Sequence, residues 1–327
     1  MKELVTISNN NSVIQENELQ NIINDWVKFC DVGTLTQRAY NSAASKFVAF
    51  VTKNNLTVNE NTLIQFRNYC KENFSVATAR LYFQISRKFC QWSCKKMNAA
   101  DFTAGVKGVK VDNSVHSRDA LPLEDVATVI KKVEGEDFIS VRNKTILILL
   151  AECGLRRCEV NRLDLNDIEL RRGKYFLRVF GKARAGKNDF VALPKQAKKQ
   201  LDKYLELRAV VMKAGEVDEK APLFISLSNN SKGRRLDVQS ISKLVKKALV
   251  QGGFISKRLT CHSLRHSFAS GAISAGVDIR LIQKTLRHKN QNTSEIYLHD
   301  EELFANNATS IVANNLEKFL KGGKNCG

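Results

Sequence analysis

Between residues 17 and 97, apolar residues recur three and four apart in four separate segments, and this pattern limits the fold more than any other feature of the chain. The segments are NELQNIINDWVKFC, LTQRAYNSAASKFVAFVTK, ENTLIQFRNYCKE and SVATARLYFQISRKFCQWSCKKM, joined by short polar links. Each presents one apolar stripe, and four such stripes can bury one another, which predicts a small all-α domain over residues 17–105. The polar residues 1–16 ahead of it are expected to be flexible. Residues 98–121, NAADFTAGVKGVKVDNSVHSRDAL, lose the period and carry mixed charge and two glycines, so 106–121 reads as an interdomain linker.

From residue 122 the pattern is mixed. LPLEDVATVIKKV reads as a helix with Pro122 near its start, and VRNKTILILLAECG as a helix ending at Gly154. LRRCEVNRLDLNDIEL begins as a helix. KYFLRVF and DFVAL alternate like strands, and GKARAGKN joins them as a hairpin turn. Two more helices, KQAKKQLDKYLELRAVV and VQSISKLVKKALVQGG, precede the one that opens with CHSLRHSFAS. Gly276 suits a position just past that helix, and Asp278 can cap IRLIQKTLRH. A short helix from Asn292, with Glu295 completing a capping box, carries Tyr297. The fold class expected is mainly α with a small antiparallel β-sheet, with a second domain over 122–300. A closing segment, 301–327, has Leu303, Phe304, Ile311, Leu316, Phe319 and Leu320 near helical spacing.

Charge narrows the partner. The chain holds 52 Lys and Arg against 33 Asp and Glu, a formal net charge of +19. Residues 1–105 hold 12 against 8, and the remainder 40 against 25, so the second domain is the more basic. Such an excess favours a polyanion. The apolar run TILILLAEC is too short to span a bilayer. MKELVTISNNNS has no apolar signal core, and the expectation is a cytoplasmic protein with no membrane partner. None of the eight cysteines stands in a Cys-x-x-Cys pair, so core thiols are expected and no metal site. The fourth segment carries Arg80, Arg87, Lys88, Lys95 and Lys96 with no acid, and its apolar side holds Tyr82, Phe83, Phe89 and Trp92. A basic helix of this kind can follow a DNA backbone, and the same composition also fits a plain solvated face.

Several polar residues stand at notable places. Arg156 and Arg157 follow the helix break at Gly154, with Glu159 three residues after Arg156. Lys182 lies in the hairpin tip and Lys187 in the same hairpin. His262, Arg265 and His266 stand at i, i+3 and i+4 of one helix. His288 ends the next helix, and Tyr297 follows nine residues later. Singly, each is more simply a solvated charge or a half-buried ring.

Their order and spacing together resemble the tyrosine recombinase family, of the phage integrase and Xer type. ECGLRRCEVNRLDLNDIEL looks like that family's first arginine box, and RVFGKARAGKNDFVALP resembles its catalytic-lysine hairpin. HSLRHSFASGAISAGVDIRLIQKTLRHKNQNTSEIYLH matches its His-x-x-Arg box, second histidine and nucleophilic tyrosine. The resemblance implies Arg156, Lys182, His262, Arg265, His288 and Tyr297 as the catalytic set, with Tyr297 the nucleophile and Glu159 a supporting acid. Arg80, Arg87, Lys88, Lys95, Lys96, Arg157 and Lys187 are expected DNA contacts, and Lys187 competes with Lys182 for the role of general acid. His266 is expected to be structural. One departure is Arg287, where the family commonly has glycine.

The family further implies a two-domain C-shaped clamp on double-stranded DNA, with a core-binding, SAM-like helical domain and a catalytic domain. No arm-binding domain is expected before residue 17, as in the simpler Xer layout. The activity implied is site-specific recombination through a 3′-phosphotyrosine and a Holliday junction, with no metal, ATP or other cofactor. A tetramer on two DNA sites is implied, with a monomer or dimer when free. The closing segment is expected to dock on a neighbouring subunit, against the simpler alternative of packing on its own domain. Related activities on one duplex, such as relaxation or resolution, and non-catalytic DNA binding are the alternative readings.

Overall fold

The structure is a computed structural model and describes residues 16–110, 120–180, 186–212, 218, 220–287 and 308–321. The chain divides into two compact units, Met1–Val115 and His116–Gly327.

In the first unit the expected apolar stripes form helices α1 (Glu16–Phe29), α2 (Thr34–Lys53), α3 (Glu60–Asn73) and α4 (Val76–Lys96). Side chains define two of the starts: Asn59 accepts from Thr62 N at 3.0 Å, and Ser75 from Thr78 N at 3.4 Å. The stripes meet in an aromatic core of Trp26, Phe47, Phe66, Phe83 and Phe89, all fully buried. Phe47 and Phe66 pack edge to face with centroids 5.1 Å apart. The aperiodic stretch after α4 begins as packed chain. Thr103, Val106 and Val109 are buried, and Val106 and Val109 join this core. Arg67 donates to Lys107 O at 2.9 Å and Arg87 to Val106 O at 3.2 Å. Extended chain of this kind buries residues without a helical period, so periodicity could not reveal it.

The second unit is built on α6 (Phe138–Glu152), which follows α5 (Leu123–Lys131). Eleven of the fifteen α6 residues are buried, because the run 146–151 is apolar on every side and the helix is enclosed by its neighbours. Next come α7 (Arg157–Arg162), a 3₁₀ turn at Leu165–Asp167, and an antiparallel sheet of β1 (Ile168–Arg171), β2 (Lys174–Val179) and β3 (Asp189–Leu193) in the order β1-β2-β3. Leu177 of β2 is the hinge of the register, opposite Ile168 on one side and Val191 on the other. The remaining described helices are α8 (Lys195–Met212), α9 (Val238–Gln251), α10 (Cys261–Ser274), α11 (Ile279–Thr285) and α12 (Ala308–Lys321).

Punctuation follows the sequence closely. Asp278 caps α11 by accepting from Arg280 N at 2.8 Å, and Gly276, at φ +77°, ends α10. The expected helix around Asn292, with its capping box, lies outside the described residues. Helix α12 packs on α5, α6 and α10 of its own unit through Ala308, Val312, Ala313 and Leu316, and Lys131 Nζ donates to Phe319 O. Leu303 and Phe304 lie outside the described residues. Among the described residues no helix is long and apolar enough to cross a membrane.

Candidate active site

Gly154 brings the pieces of the site together. It ends α6 at φ +57°, in the left-handed region that favours glycine. A Cβ there would stand 2.8 Å from Leu286 Cδ2 and 3.1 Å from Phe268 Cδ1. The bare backbone thus lets α10 and the turn after α11 close on the end of α6. Arg156, Arg265 and Arg287 are carried into one place by that contact.

The centre is the Glu159 carboxylate, whose side chain is 3% exposed. Glu159 stands in the first turn of α7 and folds back on the residue that precedes the helix. Its Oε2 accepts from Arg156 N at 2.7 Å and its Oε1 from Arg156 Nη1 at 2.7 Å. Arg287 Nη2 donates to Oε2 at 2.6 Å, and Arg265 Nη1 lies 4.0 Å from Oε2. Arg265 donates instead to two backbone carbonyls, Gly154 O through Nη1 and Leu286 O through Nη2. Arg156 Nη2 reaches the same turn, 3.4 Å from Leu286 O and 3.5 Å from Arg287 O.

One carboxylate therefore faces three guanidiniums. Burial would raise the Glu159 carboxyl, but the charges of Arg287 and Arg156, with the Arg156 amide, hold it below its ordinary value. Burial first, then the like charges of Arg287 and Arg156, bring Arg265 down to about 9 against the pull of Glu159. Among the described residues the pocket is short of negative charge.

The other expected residues fall into three groups. His262 stands in the first turn of α10, one turn before Arg265; the residue is half-buried and its backbone N–H donates to Thr260 Oγ1 at 3.2 Å. His266 is exposed, so it is no core residue, while the adjacent Ser267 and Phe268 face inward. Lys182, His288 and Tyr297 lie outside the described residues.

Two of the residues expected to contact DNA have protein partners here. Lys187 Nζ donates to Asp164 Oδ2 and to the fully buried Asp167 Oδ2, which also takes Asp164 N at 2.7 Å. These bonds tie the second leg of the hairpin to the turn before β1. Arg157 Nη1 donates to Ser242 Oγ of α9 at 2.5 Å. In the first unit Arg80, Lys88, Lys95 and Lys96 are exposed along α4, and Arg87 is half-buried on the Val106 carbonyl. Phe29, Trp92, Lys88, Lys95 and Lys96 line a groove of about 630 Å³ between α1 and α4. Among the described residues no group of three or more His, Cys, Asp or Glu is placed to hold a metal ion.

The sequence profile of the phage integrase family matches residues 120–303, more than half of the chain. A tyrosine recombinase XerD of Oceanobacillus iheyensis is 32% identical over 227 residues, covering 69% of this chain and 72% of the relative. A tyrosine recombinase XerD of Staphylococcus saprophyticus is 27% identical over 292 residues, covering 86% and 94%. Two solved structures share the fold. A XerH site-specific recombinase bound to a palindromic difH substrate has a TM-score of 0.65 at 22% identity, covering 95% of this chain and 93% of that one. A lambda integrase tetramer bound to a Holliday junction has a TM-score of 0.62 at 16% identity, covering 90% and 84%. The matched residues include Arg156, Glu159 and Arg265, and the chain belongs to the phage integrase family: it is a tyrosine recombinase.

Proposed function

We propose that this recombinase exchanges strands between two DNA duplexes at specific sites, with Tyr297 as nucleophile and the arginine pocket as the seat of the scissile phosphate. The observation that carries the reading is the excess of buried positive charge around Glu159. Arg156 and Arg265 stand more than a hundred residues apart in sequence, yet Arg156 pairs with Glu159 and Arg265 lies 4.0 Å from it, and one carboxylate does not balance the guanidiniums around it. A phosphodiester supplies the missing anion, and a guanidinium matches two of its oxygens at once.

The phenol of Tyr297 attacks phosphorus in line, and the 5′-oxygen leaves. The products are a 3′-phosphotyrosine and a free 5′-hydroxyl. A 5′-hydroxyl from the partner duplex attacks that link, releases the tyrosine and restores a phosphodiester. One ester replaces another of the same kind, so the exchange needs no ATP. Charge gathers on the non-bridging oxygens in the transition state, where Arg156, Arg265 and His288 are the assigned donors. Removing one preorganised donor typically costs about 3–4 kcal/mol. Tyrosine has an unperturbed pKa of about 10, so a base must take its proton at neutral pH, and His262 is assigned that task. The leaving oxygen needs a proton, assigned to Lys182. The ion pairs of Lys187 with Asp164 and Asp167 favour Lys182 over its neighbour.

The relatives support the partner and the assembly: XerH is bound to a palindromic difH substrate, and a lambda integrase tetramer is bound to a Holliday junction. For this chain the reading is double-stranded DNA in the cytoplasm, held by a tetramer on two sites. Integration or excision of a mobile element and resolution of chromosome dimers both use this exchange, and sequencing the DNA crosslinked to the protein in cells identifies which applies. The chemistry is tested on a nicked suicide duplex. Tyr297→Phe is expected to bind the duplex and form no covalent complex, and a protease-sensitive adduct from that variant overturns the assignment. Exchange between two marked duplexes supports recombination, and relaxation without exchange assigns the protein to single-duplex chemistry.

A further inference from the structure

We infer that Arg287 is a positioning residue for strand cleavage: by occupying the far oxygen of Glu159 it keeps that carboxylate from neutralising Arg265. The inference rests on the function proposed above and adds a residue to it.

Arg287 has φ +56°, in the left-handed region that a side chain with a Cβ adopts only at a cost. Something must offset that cost, and the side chain is where the offset lies. It is 7% exposed, with Nη2 on Glu159 Oε2 at 2.6 Å and Nη1 on Thr285 O at 2.8 Å. Its Nε is buried with no hydrogen-bond partner among the described residues.

The bonds to Glu159 show what the side chain does. Oε1 takes Arg156 Nη1, while Oε2 takes both Arg156 N and Arg287 Nη2. An ionised carboxylate offers about two lone-pair sites per oxygen, so Oε2 is filled. Arg265 is left at 4.0 Å and turns to the carbonyls of Gly154 and Leu286. Neutral carbonyls hold a guanidinium less tightly than a carboxylate does. An arriving phosphate therefore displaces weaker partners, and meets a guanidinium whose charge is still available. The positive charge of Arg287 also stays within the pocket and opposes that of Arg265 until an anion enters. Without Arg287, the acceptor site it vacates on Glu159 Oε2, 4.0 Å from Arg265 Nη1, draws Arg265 into an ion pair that must break before cleavage.

The test is Arg287→Gly. Glycine suits φ +56°, so the variant is expected to fold. Arg287→Asn, also tolerant of that backbone, is the second variant should glycine loosen the turn, and the same losses are expected of it. On a suicide duplex with protein in excess, the single-turnover cleavage rate is expected to fall about tenfold or more. The Kd for the same duplex is expected to stay within about threefold, because most of the affinity comes from phosphate contacts elsewhere. Arg287→Lys keeps the charge and one bond to Glu159, and is expected to recover a large part of the rate. Cleavage by Arg287→Gly within about twofold of the wild type overturns the inference, as does a lysine variant no faster than the glycine one. If the wild type forms no adduct, the proposed function falls and this inference with it. If the wild type cuts and Arg287→Gly cuts as fast, only the role of Arg287 falls.

Discussion

At the scale of single residues, Glu159 controls the pocket because, among the described residues, it is the one buried anion beside three guanidiniums. Replacing it with Gln keeps the shape and removes the charge. Breaking a buried charge pair from one side costs about 3–5 kcal/mol, so Glu159→Gln is expected to lower stability to urea by about that amount at pH 7. The pH dependence has a definite sign. The folded carboxyl titrates below its ordinary value of 4.5, so its contribution is present above that pH and is lost as acid carries the solution through the depressed value. Urea midpoints between pH 3 and 7 check this, and the Gln variant is expected to be the flatter of the two. The sequence already pointed to Arg156, Glu159 and Arg265, because a glycine break and short helical spacings are local features. Arg287 was legible only as an oddity. Its bond to Glu159 spans 128 residues, and nothing in the sequence marks a left-handed backbone in advance.

At the scale of elements, α6 carries a second buried acid to the face where α12 packs. Glu152 is 1% exposed, and its Oε2 has no hydrogen-bond partner among the described residues. Burial, and after it the nearby Glu317 of α12, raise its carboxyl to about 8. Here the sign reverses. The folded protein keeps this proton between pH 4.5 and about 8 while the unfolded chain releases it, so stability declines as pH rises across that window. Glu152→Gln is expected to remove the decline, which urea midpoints at pH 5, 6.5 and 8 will read. The helices themselves were legible because each buries one stripe or, like α6, most of its surface. Strand β1 was not. It is four residues long and follows an Asp-rich turn, so its LNDIEL continues the apparent helix of the preceding box. Only pairing with β2 identifies it as a strand.

For the whole molecule, the charge of +19 sets how binding responds to salt. Each neutralised phosphate contributes about 0.9 to the slope of log K against log salt concentration. Duplex affinity is expected to fall steeply between 50 and 200 mM salt. Lys88→Ala and Lys95→Ala, both on the exposed face of α4, are each expected to reduce the slope by about 0.9, measured by fluorescence anisotropy on a labelled duplex. Substitution at Lys187 is expected to leave the slope unchanged, since its charge is already balanced by Asp164 and Asp167. The partners of the pocket arginines carry a wider consequence. Among the described residues, those partners apart from Glu159 are the main-chain oxygens of Gly154, Thr285, Leu286 and Arg287. Every amino acid brings such an oxygen, so the surrounding residue types can drift far without disturbing the cradle. Inserting or deleting one residue in either turn moves those oxygens outright, and divergence in this enzyme should accordingly spare the lengths of these two turns more strictly than their spelling.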